Sequence, residues 1–127
     1  MPYELSWEER GVVSRFWGVV TSEQLIDNNV DELLDPKFEH SEYDLTIFED
    51  SVVFNVPSSK LRLIADSDAN SSNRKPSFLV AIVAAQTVIH KLSDIYRYEH
   101  EVIGGRWKIE NFATEAEARL WLAENLD

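Results

Sequence analysis

Apolar and polar residues alternate at the start of the chain, with Tyr3, Leu5 and Trp7 set against Glu4, Ser6 and Glu8. A period of two predicts a half-exposed strand. Arg10-Gly11 supplies a turn and residues 12–20 read as a second strand, so the two form an antiparallel hairpin. Gly18 inside that strand predicts a bulge or a close backbone approach. The period then changes. Thr21 with Gln24 three residues later is a capping box. Behind it Ile26, Val30, Leu33 and Leu34 fall at i, i+4, i+7 and i+8, on one face of a helix. Pro36 biases Asp35 away from helical geometry and ends that element.

Tyr43 to Phe48 is a third strand, most of it β-formers. Residues 49–56, with Val52, Val53, Phe54 and Val56, either extend it or form a packed loop. Ser58 is a candidate N-cap for a helix whose apolar side is Leu61, Leu63, Ile64 and Ala65. The polar run 66–73 predicts fraying of that helix into a mobile loop. Residues 78–85 are apolar without interruption, the signature of a strand buried on both faces of a mostly parallel sheet. Gln86 or Thr87 can cap the helix that follows, whose apolar positions are Val88, Ile89, Leu92, Ile95 and Tyr96. After Gly104-Gly105, residues 106–112 form a final strand. Thr114 with Glu117 caps the last helix, which carries Ala118, Trp121 and Leu122.

The order β-β-α-β-α-β-α-β-α predicts an α/β fold: a mostly parallel five-stranded sheet with four helices, the first strand antiparallel at one edge and the 78–85 strand at its centre. At 127 residues the chain reads as one domain, 1–127, long enough to bury a full core without staples. The absence of cysteine excludes disulfides, thiolate metal sites and cysteine nucleophiles. Twelve basic against 23 acidic residues leave a net charge of -11, a surface that repels phosphate backbones and anionic headgroups. No nucleic-acid partner, membrane span or signal peptide is expected, and the protein reads as soluble and cytoplasmic.

Candidate chemistry narrows the picture by elimination. None of Gly11, Gly18, Gly104 and Gly105 opens a helix directly after a parallel strand, so a dinucleotide or P-loop phosphate cradle is excluded. Asp66-Ser67-Asp68-Ala69-Asn70 begins like a calcium loop, but Ser71 stands where the turn needs Gly and Ser77 where a bidentate Glu is needed. His40, His90 and His100 lack metal-ligand spacing and read as surface residues. There is no G-x-S-x-G elbow, and the abundant carboxylates read as a solvated surface. No cofactor and no enzyme activity are expected. Trp7, Phe16, Trp17, Trp107 and Trp121 are read first as packing residues, otherwise as the lining for an apolar ligand or a partner face.

Several short motifs carry a family resemblance. The ending Glu117-Ala118-Arg119-Leu120-Trp121-Leu122 is similar to the E-A-x-x-W-L close of small bacterial SpoIIAA-like proteins, relatives of STAS domains and of the CRAL-TRIO lipid-carrier fold. Phe112-Ala113-Thr114 resembles their F-x-T, Gly18-Val19-Val20-Thr21 their G-x-x-T, and Asp35-Pro36-Lys37-Phe38 their D-P-x-F. The resemblance implies a STAS-like sheet and little about activity; with the element order matched and no catalytic constellation visible, a non-catalytic regulatory or protein-interaction module is expected. The alternative it implies is a carrier or sensor of a small apolar or lipid-like ligand. In STAS anti-sigma-factor antagonists a serine of a D-S-S-G motif at the start of the second helix is phosphorylated. Pro57-Ser58-Ser59-Lys60 occupies that place, with Pro57 replacing Asp and Lys60 replacing Gly. Ser58, Ser59, Asp50 and Ser51 are the candidate recognition or phospho-switch residues, and recognition is expected at the loops 49–59 and 66–75. A homodimer that covers an aromatic-rich edge strand is a further expectation.

Overall fold

A computed structural model describes residues 3–126. Strand β1 (Tyr3–Trp7) pairs antiparallel with β2 (Gly11–Phe16). β2 then pairs in parallel with β4 (Tyr43–Phe48), β4 with β6 (Leu79–Val83), and β6 with β7 (Lys108–Phe112). The sheet order β1-β2-β4-β6-β7 puts β4 at the centre, and the apolar strand β6 lies one place nearer the edge. It is still interior, and all five of its residues are buried.

The expected second strand is two strands. After Phe16 the chain turns at Gly18, whose φ of +67° lies in the left-handed region open to glycine. No neighbouring atom crowds a side chain there, so the turn, and not a close approach, requires glycine. Beyond it β3 (Val19–Thr21) leaves the main sheet and pairs in parallel with β5 (Val53–Asn55), which settles the ambiguous segment after β4. The main sheet remains five-stranded.

Pleating sorts the side chains between two layers. Tyr43, Leu45 and Ile47 of β4 and Leu79, Ala81 and Val83 of β6 meet α4 (Glu115–Asn125) through Ala118 and Leu122. The opposite face, with Phe16, Phe48, Val80 and Ile82, is covered by α1 (Ser22–Leu34), α2 (Ser58–Ser72) and α3 (Thr87–Val102). The Thr21–Gln24 capping box and the Thr114 cap on Glu117 form as the sequence predicts.

Three expectations on that face are overturned. α1 turns Asn28 and Glu32 inward, while Val30 and Leu34 are exposed. Apolar spacing names a face, but the helix is oriented by polar side chains that find partners inside. α2 does not fray at residue 66. It runs to Ser72 because Asp68 and Ser72 are buried and bonded, Ser72 Oγ accepting the Arg106 N–H at 3.0 Å. His100 is fully buried on α3, not a surface residue, and accepts the Trp107 N–H at Nε2 (3.2 Å). Burial pushes its pKa down.

A Cβ on Gly105 would sit 2.2 Å from the His100 ring, which is stacked on Trp107. Gly105→Ala should therefore cost about 1–3 kcal/mol by overpacking. Thermal unfolding of the variant checks this, and an unchanged Tm would show that the His100 ring can yield.

Candidate functional site

The sequence-predicted residues fall into two separate places. Asp50 and Ser51 are exposed on the turn after β4. Gln86 is the N-cap residue of α3, but its side chain makes no cap bond. Its Nε2 reaches across to donate to the carbonyls of Asp50 (2.9 Å) and Val52 (2.7 Å), holding that turn in place. Asp50 and Ser51 border an open cleft of about 500 Å3 at the carboxyl ends of β4 and β6, with Glu115 on the far side. Its rim is acidic. Burial alone would raise the Glu115 pKa, but hydrogen bonds from Arg15 and Arg119 outweigh it and hold the carboxyl below its ordinary value.

Ser58 and Ser59 do not line this cleft. Pro57, not Ser58, is the N-cap of α2, and no side chain bonds the helix's first amides. Ser58 is the first helical residue and half-buried, and Ser59 is exposed. The reason is local: φ of Pro57 is -66° with extended ψ, so the helix begins one residue earlier than a Ser58 cap would set it. The 66–75 segment is helical up to Ser72 and only its last three residues form a loop. After α2 ends, Lys75 donates to the carbonyls of Glu39 (3.0 Å) and Ser41 (2.8 Å) and lies over Phe38 and Phe78.

The most developed polar site was not among the sequence candidates. It lies between the sheet and α1, α2 and α3, a partly open cavity of about 90 Å3. Four elements each contribute an acid or a phenol: Glu32 from α1, Asp44 from β4, Asp68 from α2 and Tyr96 from α3. Glu32 and Asp68 are each 4% exposed. Asp68 Oδ2 accepts the Tyr96 hydroxyl at 2.5 Å and Oδ1 accepts the Asn29 amide at 2.9 Å. Thr46 Oγ1 donates to Asp44 Oδ1 at 2.6 Å. Asn28 donates to Ser14 Oγ at 2.9 Å, which explains why both can be buried. Phe16, Phe48, Phe54, Leu61 and Ile82 form the apolar walls.

Electrostatics follow from this enclosure. The lining contains no lysine, arginine or histidine. Burial pushes the Glu32 carboxyl well above the usual range, and the charge of Asp44 and a hydrogen bond to it add to the effect. Burial pushes Asp68 up to about 7 even though the Tyr96 and Asn29 hydrogen bonds favour its anion. Among the described residues no three His, Asp or Glu side chains are grouped to hold a metal ion.

A signal for this site was present in the sequence. In β4 the residues facing α4 are Tyr43, Leu45 and Ile47, whereas the opposite parity carries Asp44 and Thr46. Polar residues on a covered face of the central strand mark a polar cavity. Asn28 and Glu32, four apart on α1, are the matching half.

No protein-family model matches the sequence, and no curated protein matches it either. Among solved structures the chain is similar to the anti-sigma factor antagonist SpoIIAA in its unphosphorylated form. That likeness has a TM-score of 0.56 at 14% identity, over 98% of this chain and 99% of that one. It is also similar to an uncharacterized DUF3478-family protein of Shewanella loihica PV-4 with a SpoIIAA-like fold, with a TM-score of 0.51 at 13% identity, over 94% and 91% of the two chains. The chain thus has a SpoIIAA-like fold, as its motifs predict. Among the described residues no helix is long and apolar enough to cross a membrane.

Proposed function

We propose that the protein is a non-catalytic STAS-like regulatory module that acts by binding another protein. The observation that carries this reading is the likeness over 98% of the chain to an anti-sigma factor antagonist. The recognition edge is the 49–59 segment, and Ser58 or Ser59 is its phosphorylation switch. No side chain caps the start of α2, so a phosphate there meets the positive end of the helix without displacing a cap. A cytoplasmic setting fits this role, and so does self-association along an exposed edge strand. The carrier reading has less support, because a cavity of about 90 Å3 bordered by Glu32, Asp44 and Asp68 is small and repels an acidic lipid-like molecule.

The test is capture of partners from cells of the source organism by in-cell cross-linking, with cross-link sites read by mass spectrometry. A specific protein cross-linked within residues 49–59 is expected. Ser58→Glu or Ser59→Glu should change its affinity at least tenfold, about 1.4 kcal/mol, while leaving Tm within about 2 °C, since a helix N-terminus tolerates negative charge. Recovery of no specific protein, or of one cross-linked only elsewhere, sinks the reading.

A further inference from the structure

We infer that β7 is the seam of a two-fold homodimer. It pairs antiparallel with the β7 of a second copy, centred on Ile109, so that Lys108 of each chain faces the partner's Glu110. This fixes the face of the self-association named above and rests on nothing at residues 49–59.

β7 is the end strand of the main sheet and is hydrogen-bonded to β6 on one side. Its backbone groups alternate in direction. The Lys108 N–H donates to the Phe78 carbonyl and the Phe112 carbonyl accepts the Ala84 N–H, so the even-numbered residues turn their backbone toward β6. Ile109 and Asn111 therefore point their N–H and C=O groups outward. Natural edges are guarded by proline, by bulges or by charge. β7 contains no proline and keeps a continuous register with β6 from Lys108 to Phe112, so its guard is charge. Arg97 reaches the Ile109 carbonyl at 3.3 Å, which leaves that oxygen a lone pair for a second donor.

Register decides whether the charges repel or attract. A two-fold antiparallel pairing centred on Lys108 sets lysine against lysine, and one centred on Glu110 sets glutamate against glutamate. Centring on Asn111 or Phe112 leaves Glu110 with no cation opposite. Centring on Ile109 makes two Lys108–Glu110 pairs, while the two Ile109 residues exchange their outward N–H and C=O groups. Lys108 and Glu110 are both exposed. In this pairing they take the non-hydrogen-bonded positions, where opposing side chains lie closest. Charges that match their own copy in one register point to a second copy as the occupant of this edge.

The helix layer supplies apolar area beside the seam. Asp94 accepts the Asn111 amide at 3.0 Å and so ties one side of α3 to β7. Tyr98, one turn on from Asp94, is 70% exposed, and Val102, a turn further, is 60% exposed. Two-fold pairing of β7 lays this side of α3 beside the same side of the partner's α3, and both residues leave water there.

The experiment is sedimentation equilibrium of the whole chain. A net charge of -11 on each copy opposes association, so a dimer with Kd on the order of 10 μM is expected. Lys108→Glu and Glu110→Lys lie at exposed positions, and each sets like charges opposite one another twice. Each alone should weaken the dimer at least tenfold. An equimolar mixture of the two variants should recover it to within about threefold of the native chain, because every cross-strand pair is again lysine against glutamate. Hydrogen exchange reads the position directly: the Ile109 amide should become protected only at concentrations where the dimer forms. A native chain still monomeric at about 1 mM, a dimer that withstands either charge reversal, variants that stay monomeric when mixed, or an Ile109 amide that gains no protection in the dimer overturns the proposal. None of these outcomes bears on whether a partner protein is captured at residues 49–59.

Discussion

Between pH 5 and pH 8 the protein is expected to lose roughly 3 kcal/mol of stability, and Asp68→Asn is expected to remove most of that loss. Asp68 has its pKa pushed from 3.8 to about 7 by burial, so between those values the folded chain binds a proton that the unfolded chain has released. Stability from this group is complete below pH 4 and declines by about 1.4 kcal/mol per pH unit until about pH 7. Glu32, also raised, acts in the same direction. Glu8, Glu42 and Glu115 act in the opposite one. Arg119 holds Glu8 down, Arg10 holds Glu42 down, and Arg15 and Arg119 overcome the burial of Glu115. Their stabilisation is present above about pH 4.5 and disappears in acid. The two sets together place the optimum near pH 5.

In the Asn variant the side-chain carbonyl still accepts the Tyr96 hydroxyl, and Asn29 can rotate its amide to accept from the new NH2 group. The local bonds survive while the titration is removed. Denaturant unfolding at pH 5, 6, 7 and 8 checks this. Equal wild-type stability at pH 5 and pH 8 would show that Asp68 is ionised in the native cavity at both.

The architecture was readable because apolar period and capping chemistry agree with each other in most elements. β6 is a run with no polar residue and is buried on both faces. Ala118, Trp121 and Leu122 mark the inner side of α4, where Trp121 meets Phe112. The polar cavity was obscured for the same physical reason that makes it unusual. A search for apolar stripes assigns Val30 and Leu34 to the core, yet α1 is turned so that Asn28 reaches Ser14 and Glu32 reaches Asp44. The polar run of α2 likewise reads as a loop until Tyr96 and Asn29, both distant in sequence, supply partners for Asp68. Long-range pairing of polar groups leaves no periodic trace. Asp44 and Thr46 are the exception, because strand parity exposes them as polar residues on a covered face.

Phe16→Ala should be the most destabilising single substitution at the cavity, costing about 3–5 kcal/mol. The ring is fully buried at the end of β2, stacked on Tyr3 with centroids 5.4 Å apart and on Phe48 at 5.1 Å, and it also forms part of the cavity wall. Removing it leaves a void that the sheet cannot close, because β2 is paired on both sides, to β1 and to β4. Tyr3 and Phe48 lose a stacking partner as well as apolar contact. Phe16→Leu keeps most of the volume and should cost less than about 2 kcal/mol, so the two variants separate lost volume from lost ring geometry. The measurement belongs at pH 5, where native stability is greatest and the Ala variant has the best margin for remaining folded. A loss under about 1 kcal/mol would mean that the helices collapse into the gap and that the ring does not hold the cavity open.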